Sequence, residues 1–312
     1  MRIFYYQRGD RQPNFGDDLN RWLWPQLRPD LFKSDNHQSS TPDRTTADSI
    51  FVGTGTLLNN KLAGRLEPAK RVAIFSTGAG YEQPLRKIPS SWKIYCVRGP
   101  LSAKQLGLPP QKAIADGGLL VASVFTPTGS QPPSTDSFMP HIHSAVAASD
   151  SWQRICQQAN MRYIDPRWPI KQILSAIKGS QRLLTEAMHG AIVADALRVP
   201  WYPMVTMPRI YAFKWQDWCA SMALSYQPQH LPPLSSYPRW GRGLRSGAVA
   251  ARHWLKAGIQ SPISTVQSQL SGGEEAVAKR LIAIANEPPY LSADKTLTQK
   301  LERLQTCLSK VR

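Results

Sequence analysis

The sequence predicts an α/β fold with two successive domains, each a parallel sheet covered by helices, followed by a basic helical tail. Three observations carry this. Apolar runs of strand length alternate with helix-period segments several times over roughly the first 125 residues. The junctions are rich in glycine, and the pattern restarts after the polar, proline-rich segment 126–135. Strand, loop and helix in repetition is the rhythm of a parallel sheet, because parallel neighbours need a crossover and the crossover is usually a helix.

Residues 2–6 alternate as an opening strand. Asn14 or Asp17 then suits the cap of a helix that runs through Leu19, Trp22, Leu23 and Leu27 at helical spacing. Asp17 and Asp18, beside Gly16, are equally suited to holding sugar hydroxyls. Residues 49–52 make a buried strand that ends in Gly53-Thr54-Gly55-Thr56, where the glycines let backbone approach a ligand closely. This is neither GxxxxGK[ST] nor GxGxxG. Residues 72–75 repeat the pattern and end in Ser76-Thr77-Gly78-Ala79-Gly80.

Residues 94–97 give another strand, followed by Arg98-Gly99-Pro100-Leu101-Ser102, with Pro100 in the first turn of a helix that reaches Leu106. At a strand end the Arg98 guanidinium can hold a phosphate or carboxylate through two parallel hydrogen bonds; a structural salt bridge is the alternative. Residues 113–115 form a last short strand before Asp116-Gly117-Gly118. The first domain is therefore 1–127, with the boundary in the aperiodic stretch that follows.

The second domain, 136–238, opens with a strand at 137–139 that leads to Pro140-His141-Ile142-His143. A helix at 152–159, a strand ending at Asp165-Pro166-Arg167 and a helix at 170–177 come next. Residues 183–185 are a strand, 186–190 a turn, and 191–197 an alanine-rich helix ended by Val199-Pro200. A strand at 201–205 and a helix at 215–224 complete it, and a cleft between the two domains is expected. In an open parallel sheet ligands bind at the carboxyl edge of the strands, where helix N-termini present free N–H groups to anions. His189 and Gly190 stand at such a junction, although a histidine there can also be a packing or capping residue.

The tail, 239–312, changes character. Arg239, Arg242, Arg245, Arg252 and Lys256 occur in a stretch with no acid, and the last four share one helical face opposite Leu244, Ala248, Ala251 and Leu255. Such a helix can lie on an anionic membrane or be the solvated face of a packed helix. Gly272-Gly273-Glu274-Glu275 and Pro288-Pro289 separate two further helical stretches.

A formal net charge of +17 favours polyanionic partners: phosphorylated substrates, nucleic acid or an anionic membrane face. No apolar run approaches the length of a spanning helix and the N-terminus lacks the apolar core of a secretory signal, which points to a cytoplasmic protein, with peripheral association at the inner membrane face as an option. The four cysteines, Cys96, Cys156, Cys219 and Cys307, are far apart and form no CxxC pair, which fits reduced thiols better than zinc or a disulfide framework.

The ordered set NFGDDLN (14–20), FVGTGT (51–56), IFSTGAG (74–80), CVRGPLS (96–102), ADGGLL (115–120), FMPHIH (138–143), IDPRWP (164–169) and EAMHGAIVADALRVP (186–200) resembles the polysaccharide pyruvyl transferase family, in particular the branch that decorates bacterial exopolysaccharides such as succinoglycan. The resemblance spans roughly residues 1–225. It implies two Rossmann-like domains in a GT-B-like arrangement, with the active site between them. It also implies transfer of the carbon skeleton of phosphoenolpyruvate to two hydroxyls of one sugar, giving a cyclic pyruvate ketal and phosphate. The acceptor is then an exopolysaccharide sugar or its lipid-linked precursor; no cofactor beyond the donor, no metal ligand set and no nucleic-acid partner is expected, and the sequence leaves metal dependence open. In some relatives an arginine two places before the catalytic histidine holds the donor. Here that place is Ala187, with Met188 next, so the phosphate needs another cation: Arg98 first, with Arg167 or Lys214 as alternatives.

The chemistry fits those residue types. Phosphoenolpyruvate carries about three negative charges and needs cations and oriented N–H donors. Protonation of its methylene carbon makes the neighbouring carbon electrophilic, and a sugar hydroxyl attacks. Histidine carries a proton near neutrality, so His189 is the general acid, aided by its helix N-terminus in holding phosphate. That N-terminus also disfavours a cationic ring, so the donor's charge must outweigh the dipole. His141 or His143 suits the base for the hydroxyl. Ser102, Asn14, Gly16, Asp17, Asp18, Gly53, Gly55, Gly78, Asp116 and Gly190 are candidate substrate contacts, and Glu186 can orient His189. Two other readings stand: a glycosyltransferase using a nucleotide sugar, with Glu186 on the ribose, and a nucleic-acid-binding protein. For the latter there is neither zinc-finger spacing nor an aromatic RNA-reading motif.

Overall fold

A computed structural model describes residues 1–32, 49–66, 69–127, 135–206, 210–232, 234 and 273–312. The basic stretch 239–256 and most of the boundary segment 126–135 lie outside the described residues. The chain forms two compact units: one of Met1–Thr126, Lys214–Ser225 and Ser292–Arg312, the other of Pro127–Phe213 and Tyr226–Leu291. This differs from the linear division into 1–127, 136–238 and a separate 239–312 tail. Two later segments return to the first unit, because their partners there are buried side chains that local sequence does not reveal.

In the first unit, β1 (Arg2–Phe4), β2 (Ser49–Val52), β4 (Arg71–Phe75) and β6 (Trp92–Cys96) form one sheet in the order β1-β2-β4-β6, every pair parallel. A small parallel pair, β3 (Thr56–Leu58) with β5 (Gly78–Ala79), stands beyond its carboxyl edge. The strand read at 113–115 reduces to one bridge, Val97 to Ala113, since the chain turns at Asp116 into a 3-10 helix, Gly117–Ser123.

Helix α1 (Phe15–Leu27) has Asn14 as its N-cap residue and buries Phe15, Leu19 and Leu23, spaced at i, i+4 and i+8, together with Trp24. Trp24 meets Phe51 and Phe75 edge-on at 5.2 and 5.5 Å, and Phe32 meets Phe51 at 5.0 Å, so aromatic rings fill the space between helix and sheet. The unit also holds α2 (Leu62–Leu66), α3 (Pro100–Gln105) and most of α7 (Ala212–Ser221).

The second unit has one five-stranded parallel sheet in the order β11-β10-β9-β7-β8, from β7 (Thr135–Met139), β8 (Arg162–Tyr163), β9 (Ser180–Thr185), β10 (Trp201–Val205) and β11 (Gln229–His230). Helix α4 (Ile142–Gln158) begins ten residues before the periodicity at 152–159 suggests. Ala148 inside it is non-helical, with φ −153 and ψ 41, and this break hides the first half of the pattern.

One face of this unit's core joins Phe138, Trp152, Ile155, Leu184 and Tyr202 to Val277, Leu281 and Ile284 of α8 (Glu274–Ala285). The helix α6 (Met188–Ala196), next to α5 (Ile170–Lys178), is apolar almost all round because it is buried almost all round. The last helix, α9 (Asp294–Leu308), belongs to the first unit and packs on β6 and on the 3-10 helix.

Candidate active site

Three strand ends define the candidate centre of the second unit. Met139 of β7 pairs with Thr185 of β9, which pairs with Pro203 of β10, so the chain leaves three parallel strands at neighbouring levels. Glu186 sits just past β9 and is fully buried. Its carboxyl accepts from the His141 N–H at 3.1 Å, the Thr206 N–H at 2.8 Å and the Thr206 hydroxyl, and so ties the three ends together. Burial pushes Glu186 above the ordinary carboxylate range, and hydrogen bonds from Thr206, Ser144 and His141 partly offset it.

The turn is locked further. Glu186 N–H donates to Met139 O at 3.0 Å, and the Thr185 hydroxyl donates to Met139 O at 3.1 Å while accepting from Ala187 N–H at 3.0 Å. Helix α6 therefore starts at Met188, and residues 188–190, read from sequence as turn, are already helical. His189 lies in the first turn, half-buried, behind an N-cap residue, Ala187, that has no polar side chain to satisfy the first N–H groups. Gly190 is there for packing: a Cβ on it would meet Met139 Sδ and Thr185 Oγ1, each at 2.9 Å.

His141 is the N-cap of α4, its Nδ1 accepting from the His143 N–H at 3.3 Å. A neutral imidazole that accepts at Nδ1 carries its proton on Nε2, so the cap bond uses the Nδ1 lone pair of His141. His143 is exposed, its ring 5.1 Å from that of His141. Arg167 is committed to Asp165 by a two-pronged ion pair at 2.8 and 2.5 Å, and also donates to Ser149 at 3.0 Å. Its charge is neutralised within the loop after β8, which removes it as the phosphate cation.

Arg98 requires the same correction. It is wholly buried in the first unit, with Nε donating to Asp217 at 3.0 Å and Nη1 to Gly55 O at 3.2 Å and Thr56 Oγ1 at 2.7 Å. Asp217 lies on α7, also fully buried, and accepts from Ser102 N–H at 2.9 Å and the Ser102 hydroxyl at 2.5 Å. Arg98 and Ser102 thus hold α7 to the sheet: the Arg98 charge is paired with Asp217 and the Ser102 hydroxyl donates to the same carboxylate, while Arg98 Nη2 is buried without a hydrogen-bond partner. Sequence reading missed Asp217 because nothing local marks its partner.

The glycines read as ligand contacts are filled from within the unit. A Cβ on Gly53 would strike Trp24 Nε1 at 2.2 Å, and one on Gly78 the Arg98 guanidinium at 2.2 Å. Gly55 has φ +129 and turns its carbonyl onto Gly78 N–H at 2.9 Å as well as onto Arg98. Asp116 is buried and caps the 3-10 helix by accepting from Gly118 N–H at 2.9 Å. At the start of α1, Asn14 Nδ2 donates to Asp17 at 2.6 Å and Asn14 N–H to Asp18 at 3.0 Å, with Gly16 buried between them. These residues serve the helix cap, Asp18 remaining partly exposed.

Lys214 differs from the two arginines. It is 8% exposed, its Nζ lies 5.6 Å from the centre of the Tyr81 ring, and it makes no ion pair with a carboxylate among the described residues. Tyr81 is half-exposed in the left-handed conformation (φ 68) at the start of the loop after β5. Among the described residues no three metal-ligating side chains converge.

The family model of polysaccharide pyruvyl transferase matches residues 4–206. The chain belongs to the polysaccharide pyruvyl transferase family. Within that pyruvyl transferase match lie the strand ends that carry His141, Glu186 and His189, whereas Lys214 and Asp217 fall just outside. The chain is 32% identical to the succinoglycan biosynthesis protein ExoV of Rhizobium meliloti (strain 1021), over all of this chain and 99% of that protein. Among solved structures, the ADP-heptose LPS heptosyltransferase II of E. coli aligns over 90% of this chain and 81% of its own at 13% identity and a TM-score of 0.27, too low to argue from. This pyruvyl transferase is thus an enzyme of mixed α/β architecture with parallel sheets, and among its described residues no helix is long and apolar enough to cross a membrane.

Proposed function

We propose that the enzyme transfers the three-carbon unit of phosphoenolpyruvate to two hydroxyls of one sugar in a bacterial exopolysaccharide or its lipid-linked precursor; the family supports the pyruvyl transfer, and the name of the Rhizobium relative supports the polysaccharide. The products are a cyclic ketal and free phosphate. The observation that carries the reading is His189 in the uncapped first turn of α6, on a turn that Glu186 fixes to two neighbouring strand ends.

In this reading His189 donates a proton to the methylene carbon of the donor, and the N-terminal turn of the same helix receives its phosphate. Lys214, which makes no ion pair with a carboxylate among the described residues, is the candidate cation for the donor's phosphate. His143 takes the proton of the attacking hydroxyl, since His141 spends its Nδ1 on the cap. The net charge of +17 suits a donor and a lipid-linked carrier that are both anionic, and the same charge favours peripheral contact with an anionic membrane face.

A nucleotide-sugar glycosyltransferase would want a carboxylate for the ribose, but Glu186 is buried with its oxygens engaged. Incubation of the pure protein with phosphoenolpyruvate and a lipid-linked oligosaccharide should release phosphate and make the glycan heavier by one pyruvic acid less one water. Turnover that instead requires a nucleotide sugar and ignores phosphoenolpyruvate would overturn the proposal.

A further inference from the structure

The last helix brings together cations that no carboxylate answers. On α9, Lys300 and Arg303 are spaced i and i+3 and so are neighbours on one stripe of the helix. Lys310 follows the helix end, where its N–H donates to Cys307 O at 3.2 Å and keeps it on the closing turn. A fourth cation comes from a distant part of the chain. Arg303 Nη2 donates to Gln111 O at 3.2 Å, which sets the guanidinium against the 3-10 turn Pro110–Lys112, beside Lys112. Lys112 donates to Ile94 O at 2.7 Å, a neutral partner that leaves its charge in place. The helix is fixed in this position: Gln305 Nε2 donates to Ser123 Oγ at 3.0 Å and Arg28 Nη1 to Leu308 O at 2.6 Å.

Exposed cations elsewhere are matched: Lys61 with Glu82 at 2.7 Å, Arg154 with Glu274 at 2.6 Å and Lys279 with Glu275 at 2.6 Å. Lys112, Lys300, Arg303 and Lys310 make no such pair among the described residues. Glu302, the acid nearest in sequence, falls about 100° around the helix from Arg303 and about 200° from Lys300. Like charges one turn apart weaken a helix, and burial together with the Arg303 charge pulls the Lys300 ammonium below the ordinary lysine range. An anion outside the chain would relieve both.

We propose that this face of the first unit, formed by Lys300, Arg303 and Lys310 at the end of α9 with Lys112 beside them, docks on an anionic phospholipid surface. A single phosphate is gripped by groups that converge on one point, and a nucleic acid by cations interleaved with aromatic rings. Here the cations are spread along a helix and a turn, three of the four on flexible lysine stems, and no aromatic residue lies in Asp294–Leu308 or Pro110–Lys112. That is a diffuse field, of the kind that the headgroups of an anionic leaflet attract. Arg303 and Lys310 are exposed, while Lys112 and Lys300 are half-buried behind them. The purpose of the docking rests on the proposed lipid-linked acceptor, since it holds the enzyme at the surface where such an acceptor is carried.

The test is co-sedimentation of the full chain with vesicles of phosphatidylcholine alone and of phosphatidylcholine mixed with phosphatidylglycerol. Neither donor nor acceptor is present, so a failure here leaves the transferase reading standing, and a failure of that reading leaves the docking measurable. The wild type should bind the mixed vesicles at about 0.15 M salt, release them at about 1 M, and ignore phosphatidylcholine alone. The triple variant Lys300→Gln, Arg303→Gln, Lys310→Gln should keep its circular dichroism spectrum and bind about 100-fold more weakly, at roughly fivefold per cation. Should the triple variant lose its fold, Arg303→Gln with Lys310→Gln, both at exposed positions, should still weaken binding about 25-fold. A control with the same change of net charge in the second unit, Arg162→Gln, Lys171→Gln, Lys279→Gln, should lose less than about fivefold. The proposal is overturned if the wild type binds neither vesicle or both alike, if the triple variant binds as the wild type does, or if the control loses as much. It is also overturned if inorganic phosphate at matched ionic strength releases the protein, or if duplex DNA binds more tightly than the vesicles through the same three residues.

Discussion

Removing Asp217 tests the separation of scaffold from donor site most directly. Its carboxylate is the only counter-charge to Arg98 among the described residues and accepts both donors of Ser102, with every partner buried. Asp217→Ala leaves a guanidinium stranded in a low-dielectric interior, which costs about 3–5 kcal/mol. For a unit of this size that is a fall in Tm of about 6–20 °C, taking roughly 2–4 °C per kcal/mol. Arg98→Ala should cost a comparable amount, whereas Arg98→Met with Asp217→Leu should recover most of it, because neither charge is then buried alone. Calorimetry of the full chain gives the stability, and initial rates on the folded fraction give the KM for phosphoenolpyruvate. The reasoning is refuted if Arg98→Ala keeps its Tm within a degree or two while its donor KM rises sharply, since Arg98 would then be a ligand to the phosphate.

Replacing Lys214 with Met should leave Tm nearly unchanged and raise the donor KM about 10- to 100-fold, the worth of one charged hydrogen bond, as read by initial rates against donor concentration. His189→Ala should lower kcat by about 100- to 10,000-fold with the circular dichroism spectrum intact; a near-normal rate would remove His189 as the acid. In Gly190→Ala the new methyl needs space held by Met139 Sδ and Thr185 Oγ1, and denaturant titration should show a loss of about 1–3 kcal/mol. Glu186 titrates above the ordinary range in the folded state, so its contribution is complete below the ordinary carboxylate pKa and is lost as pH rises through the raised one. The stability difference between wild type and Glu186→Gln should therefore shrink with rising pH, and a difference that grows would contradict it.

The alternation of strand, loop and helix was legible because each element carries its own period and its own punctuation: Asn14 before α1, Pro100 in the first turn of α3, Val199-Pro200 after α6. The junction that carries His189 was legible for the same reason, off by the two or three residues that separate a turn from a first helical turn. What local pattern does not contain is the partner. Asp217 reaches Arg98 across 119 positions, so the contact leaves no periodic trace.

The glycines show where such reading misleads. A strand-end glycine signals that something approaches the backbone closely, but not what. At Gly53 it is Trp24 and Asn20, at Gly78 the Arg98 guanidinium, at Gly99 the Asp217 carbonyl, and at Gly117 Ser76 and Trp24. Each is a contact within one unit. The glycine-rich edge of the first unit is therefore a packing device, and the arginine that sequence offered to the donor is one of the groups being packed. Charge left over after packing is the better guide to an anion site. By that criterion Arg98 and Arg167 are weaker candidates, their charges paired with carboxylates, while Lys214, nearly buried against Tyr81 with no carboxylate ion pair among the described residues, is the cation whose replacement tests the donor site.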